Sequence, residues 1–146
     1  MAVKRLTGWR WALLPAALGV ISCAWAADTD GAAQLSRWQA VAGTPANAQR
    51  GRTFFETRGN GEWSCASCHG MPPTSAGRHA STGKGIEPLA PSVNPARFTD
   101  TAKADKWFRR NCNDVLSREC TAAEKADVLA YLLGLAGAQP ARKGAP

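Results

Sequence analysis

Methionine and histidine are nearly missing from this chain of 146 residues, and so is any long apolar run. The methionines are Met1 and Met71, the histidines His69 and His79. The apolar stretch from Trp11 to Ile21 is too short for a comfortable transmembrane helix. Bases outnumber acids 18 to 11, but they are scattered among the acids rather than clustered, which argues against a nucleic-acid binder. No βαβ pattern is visible, there is no internal repeat, and no second Cys/His pair lies at zinc-ligand spacing.

Against these absences stands Cys65-Ala66-Ser67-Cys68-His69. A Cys-x-x-Cys-His run is the attachment signature of c-type haem. Two thiols three residues apart on one turn of chain can each add to a vinyl group on the same edge of a porphyrin. The next residue then sets a neutral imidazole under the iron as proximal ligand. Cys-x-x-Cys also serves as a redox dithiol or as half of a zinc site, but the first normally follows a strand in a βαβ unit and the second needs another pair. The expected cofactor is one covalent haem c, held by Cys65, Cys68 and His69.

Residues 1–26 read as a secretory signal: Lys4, Arg5 and Arg10 form the basic region, Trp11 to Ile21 the apolar region, and Ala24-Trp25-Ala26 the cleavage site. The expected location is the periplasm. Val20-Ile21-Ser22-Cys23 also resembles a lipoprotein box, and lipidation at Cys23 would anchor the product to a membrane; the soluble product is the preferred reading. Cleavage leaves roughly 120 residues, one small domain. The signal carries three bases and no acid, so the formal charge falls from +7 to +4, which suits docking of an acidic redox partner. Of the four cysteines that remain, two hold the haem. Cys112 and Cys120 enter an oxidising compartment, where a disulfide is the default and buried free thiols the alternative.

Helical spacing of Leu35, Trp38 and Val41 or Ala42 predicts a weak helix over 28–41, stopped by Gly43-Thr44-Pro45. A second helix is predicted over 46–58, with Ala48, Gly51, Phe54 and Phe55 as its apolar stripe. Gly51 and Phe55 stand four apart, as in the N-terminal helix of many cytochromes c, where the glycine lets the C-terminal helix approach. Gly59-Asn60-Gly61 is a turn. Residues 70–95 are rich in Gly and Pro, and a structureless loop of that length implies a function. It would wrap a haem edge, with Arg78, His79 and Lys84 within reach of the propionates. A third long helix is predicted over 99–114, with Thr99 or Asp100 as N-cap and Arg109-Arg110 near its end. Thr121-Ala122-Ala123-Glu124 is a capping box that opens a last helix running to about Leu135.

The distal ligand is the open question. Met71 lies two residues past the proximal His and cannot cross to the other haem face. His79, ten residues on, is far enough to loop round. Lysines must lose a proton to ligate. Ala104, Trp107, Phe108, Asn111 and Val115 form one helical stripe, apolar except for Asn111. A polar amide there needs a partner, and the backbone near the helix end is one candidate. One straight helix would hold Cys112 and Cys120 about 12 Å apart, too far for a disulfide, so a bridge requires a turn within 114–119.

At these residues the chain resembles the sphaeroides haem protein, a high-spin monohaem cytochrome c of bacteria, and the related cytochrome c″. The resemblance runs from Gly51 to about Leu133. It rests on Ser64-Cys-Ala-Ser-Cys-His69, Gly77-Arg-His-Ala-x-Thr-Gly-Lys84, Glu87-Pro-Leu-Ala-Pro91, Asn94-Pro-x-Arg-Phe-Thr-Asp100 and Trp107-Phe-x-x-Asn-Cys-Asn-Asp-Val115. It implies an all-α, class I-like cytochrome c fold, with helices packed around one covalent haem c and a long haem-wrapping loop. The corresponding layout is a signal (1–26), an N-terminal helical extension (27–45), the monohaem domain (46–136) and a flexible basic tail (137–146). It also implies that Asn111 is the distal ligand, with His79 as the alternative, and that Cys112 pairs with Cys120. A dihaem cytochrome c and a membrane cytochrome b are the implied electron donors; a monomer or weak dimer is expected.

A neutral amide oxygen is a hard, weak donor that suits ferric better than ferrous iron. Reduction should therefore release Asn111 and leave an apolar distal pocket, lined around Trp107 and Phe108, that binds O₂, CO or NO. A redox-gated, diatomic-binding cytochrome is the leading function. A plain electron carrier and a small reductase of O₂, NO or an oxidised nitrogen compound are the alternatives, and thiol–disulfide exchange ranks last.

Overall fold

The computed structural model describes residues 28–136; the signal, Cys23 and the basic tail lie outside the described residues. Among the described residues the helices are α1 (Gly31–Ala42), α2 (Ala48–Glu56), α3 (Cys65–His69), α4 (Thr101–Leu116) and α5 (Ala122–Leu133). Each opens on a side chain able to accept from the otherwise unpaired first-turn N–H groups. Asp30 accepts from Ala33 at 2.7 Å, Asn47 from Arg50 at 2.9 Å and Asp100 from Lys103 at 2.8 Å. Ser64 opens α3 and Thr121 opens α5, each with a complete capping box. Gly43, at φ 67°, closes α1 in the left-handed conformation.

The helix boundaries shift by one to three residues from the sequence expectation; α2 spans Ala48–Glu56 rather than 46–58, and α5 stops at Leu133. Helix α1 begins at Gly31 rather than Asp28, because Asp28 and Asp30 act as capping groups instead. Helix α4 continues to Leu116 and ends in Ser117 at φ 57°. Arg109 and Arg110 therefore lie inside the helix and do not offset the negative end of its dipole.

The core forms where α2 meets α5. Phe55, Val128, Tyr131 and Leu132 are buried together, and Phe55 is only 1% exposed. Gly51 permits this approach, since a Cβ there would stand 1.9 Å from the Asp127 carbonyl oxygen. Asp127 fastens the same contact: its carboxylate accepts from the Asn47 N–H at 2.6 Å and from Arg50 Nε at 2.7 Å.

The N-terminal extension is integral to this packing. Helix α1 lies against α5, with Trp38 between the Arg37 guanidinium and Lys125 Nζ, each 4.2 Å from the ring centroid. Buried Gln34 donates to Thr101 Oγ1 at 3.1 Å, Arg37 pairs with Asp105, and the Asp28 carboxylate accepts from the Thr101 N–H at 2.9 Å. This end of the chain thus latches the start of α4.

The far end of α4 is held differently. Cys112 and Cys120 are both buried, with Cα atoms 5.6 Å apart, within disulfide reach. The turn before the haem motif packs against the same end: a Cβ on Gly59 would lie 2.0 Å from Val115 O, and Asn60 Nδ2 donates to Leu116 O at 2.7 Å.

Residues 70–95 are not a featureless loop. Gly77–Arg78 (β1) and Gly85–Ile86 (β2) pair as an antiparallel hairpin, with Gly77 opposite Ile86. These two-residue strands are too short to show a period of two in the sequence.

Candidate haem site

The local sequence makes α3 from five residues. Ser64 accepts from Ser67 N–H, and the Ser67 hydroxyl in return accepts from Ser64 N–H at 2.9 Å. The cap starts a helical turn at Cys65, which puts Cys65, Cys68 and His69 on a single short helix. Gly77 is pressed against its end, where a Cβ would meet Cys68 O at 2.1 Å, and Ala80 N–H points to Cys68 Sγ at 3.3 Å. The hairpin therefore braces the helix that carries the thiols.

Burial sets the protonation of Cys65 and His69. It pushes the Cys65 thiol up to about 11, so this sulfur stays protonated near neutral pH. Redox-active Cys-x-x-Cys thiols are shifted the other way, so burial of Cys65 does not favour thiol–disulfide exchange. Burial, with the nearby Arg97 cation, lowers His69 to about 4. His69 is therefore a neutral imidazole, the form that ligates a metal. Its Nδ1 is buried and has no hydrogen-bond partner among the described residues. Two free thiols and a neutral imidazole on one short helix, beside a core cluster against which Cys65, Leu89, Phe98 and Phe108 all pack, fit covalent haem. Among the described residues no group of three or more His, Cys, Asp or Glu could hold a bare metal ion.

The other predicted site residues fall as follows. Asn111 is half-buried on α4, one residue before Cys112, and its amide makes no hydrogen bond to any described residue. Near the helix end, the Leu116 carbonyl accepts from Asn60 Nδ2 rather than from Asn111. His79 sits in the hairpin turn, where Nδ1 lies 3.2 Å from Ser81 Oγ and 3.4 Å from Thr82 N. Arg78 donates to Gly83 O at 2.7 Å, and Lys84 is exposed. Met71 Sδ accepts from Tyr131 Oη at 3.5 Å, on the α5 side of the molecule. Of the α4 stripe, Ala104 is buried and Phe108 stacks with Phe98 at 6.5 Å, but Trp107 is 42% exposed beside Arg110.

Sequence reasoning missed Arg97. It is half-buried and close enough to lower the proton affinity of His69. The signal was available, because Arg97 is the one charge between Glu87 and Asp100.

Known proteins resemble this chain in sequence and in fold. The cytochrome c-type protein SHP of Cereibacter sphaeroides is 50% identical over 111 residues, covering 73% of this chain and 85% of its own. Cytochrome c″ of Methylophilus methylotrophus is 48% identical over 79 residues, 54% of this chain and 55% of its own. The structure of oxidised SHP, described as an oxygen-binding cytochrome c, matches with a TM-score of 0.68 at 50% identity, covering 72% of this chain and 96% of that one. Oxidised cytochrome c″ matches with a TM-score of 0.67 at 34% identity, covering 71% and 93%. Fold and site together define a helical monohaem cytochrome c with one haem c. A family model described as a domain of unknown function, DUF1924, matches residues 41–132. The chain belongs to this family, and within it stands with SHP and cytochrome c″.

Proposed function

We propose that this cytochrome is exported to the periplasm and that Asn111 is its weak distal ligand, bound in the ferric state and released on reduction. The haem iron supplies the redox change and the position at which O₂ or NO binds. Asn111 supplies the gate: its amide oxygen favours ferric iron, and its NH₂ group is free to donate a hydrogen bond once the oxygen has left. The supporting observation is the half-buried Asn111 amide, without a partner among the described residues, one residue before the Cys112 anchor of α4 and six after Asp105. The oxygen-binding description of SHP agrees with this reading, as does the solution structure of cytochrome c″, which addresses haem-ligand detachment.

The proposed Cys112–Cys120 disulfide fixes the backbone beside Asn111. Partner cytochromes, a dihaem cytochrome c and a membrane cytochrome b, are the proposed donors. Among the described residues no helix is long and apolar enough to cross a membrane. Optical spectra of the purified protein test the gate. A ferrous form that takes up CO, O₂ and NO immediately on mixing is expected. A ferrous form that stays six-coordinate and refuses CO would reject the proposal.

A further inference from the structure

Arg97 is a half-buried cation without a counter-ion. Its Nε donates to Pro88 O at 2.8 Å and its Nη2 to Glu87 O at 2.6 Å, both backbone carbonyls. A guanidinium has five N–H donors, so most of its capacity is unused. Arg37, also half-buried, has Asp105 as its partner, and Arg50, Arg52, Arg110 and Arg118 each have a carboxylate within 4 Å. Arg97 has none among the described residues. Burial lowers its pKa, and the charge of Glu87 offsets this only in part. Half-buried charges are seldom left unpaired.

The backbone around Arg97 is built to hold it in place. Asn94 Nδ2 donates to Pro88 O at 3.2 Å, Arg97 N–H donates to Asn94 O at 3.0 Å, and Leu89 and Ala90 N–H both donate to Pro73 O. The next residue, Phe98, has φ 62°, a conformation that costs free energy for a large side chain. That turn lets Phe98 pack against the core and stack on Phe108 while Arg97 keeps its two carbonyls. Such a strained turn beside an unpaired cation suggests a ligand that is an anion.

We propose that Arg97 binds a haem propionate, and that the strap from Glu87 to Arg97 exists to present a guanidinium to that carboxylate. The proposal requires haem c but not the Asn111 gate. It also explains why Arg78, the more obvious candidate, is available to close its own hairpin on Gly83 O. The simpler role for Arg97 is a staple between two carbonyls, and the experiment must separate the two.

Because the haem is covalent, Arg97→Gln and Arg97→Lys can both be studied loaded with haem. Removing the cation leaves the propionate charge uncompensated, which favours ferric iron. Arg97→Gln should therefore lower the midpoint potential and shift the propionate bending band in the resonance Raman spectrum. Arg97→Lys should restore most of the potential while the band stays shifted, because a point charge replaces a planar fork. Ferric coordination should be unchanged in both, whereas a failure of the Asn111 gate would appear in the ferric spectrum. If the Gln variant does not accumulate, the Raman band of the Lys variant decides. A lower melting temperature with potential and propionate band both at their wild-type values would overturn the proposal in favour of the staple.

Discussion

A methyl group on Gly51 would stand 1.9 Å from the carbonyl oxygen of Asp127 and 2.9 Å from the amide nitrogen of Val128. Both neighbours are backbone atoms of α5 and cannot rotate away. Gly51→Ala must therefore push α2 from α5 and open the cluster around Phe55. The expected cost is on the order of 3 kcal/mol, read from denaturant unfolding of the haem-loaded protein. A loss below about 0.5 kcal/mol would mean that the two helices do not meet as closely as this.

The gate itself is tested at Asn111. Asn111→Ala should leave the ferric haem five-coordinate or water-ligated, with CO affinity of the ferrous form little changed. The O₂ complex should lose a hydrogen bond worth about 0.5–1.5 kcal/mol. Asn111→His should give a low-spin ferric spectrum. If His79 were the ligand instead, His79→Ala would open the ferric site and Asn111→Ala would leave it six-coordinate.

The anchor beside Asn111 can be released separately. Replacing Cys112 and Cys120 with serine should cost about 2–3 kcal/mol on the chain-entropy account of a loop this short. Ferric ligand exchange should also speed up. Unchanged exchange kinetics in a destabilised protein would assign the bridge to stability alone.

A pH effect follows from Glu124. Its carboxylate bonds to Arg118, which holds its pKa below the usual range, and accepts the Thr121 N–H at 2.7 Å. The folded pKa is depressed, so this stabilisation is fully present above the ordinary pKa of about 4.5 and is lost as pH falls below it. The start of α5 should fray in that acid window, and Glu124→Gln should remove the pH dependence. Thr121→Ala, which removes the other half of the capping box, should cost about 1 kcal/mol near neutral pH. Amide exchange along the first turn of α5 measures both.

The legible parts of this chain are those written in local chemistry. The haem motif, the α5 capping box and the Gly51–Phe55 pair each need only a few neighbouring residues, and each is found where it was expected. Two features were illegible for a physical reason. The hairpin at 77–86 rests on two-residue strands, and the latch from α1 to α4 rests on Gln34, Arg37 and Asp28 finding partners about 70 residues away. No spacing rule connects such positions. Helical spacing puts Trp107 on the apolar face, yet it is 42% exposed, because it sits at the edge of the stripe next to Lys106 and Arg110. The role of Arg97 is not legible in the sequence, because one arginine in a loop looks like surface charge until its neighbours are known.

The two anchors of α4 also set an order of events in folding. The bridge near Asn111 closes a separation of 8 residues, whereas the bonds from Gln34, Arg37 and Asp28 span 67, 68 and 73. Loop closure becomes costlier with length, and contacts distant in sequence form late. In refolding with the bridge intact, amides around Asn113 to Leu116 should gain protection before those around Asp105. The helix is then set first at the end that bears the proposed ligand, and its register there is decided before the N-terminal segment arrives to lock it.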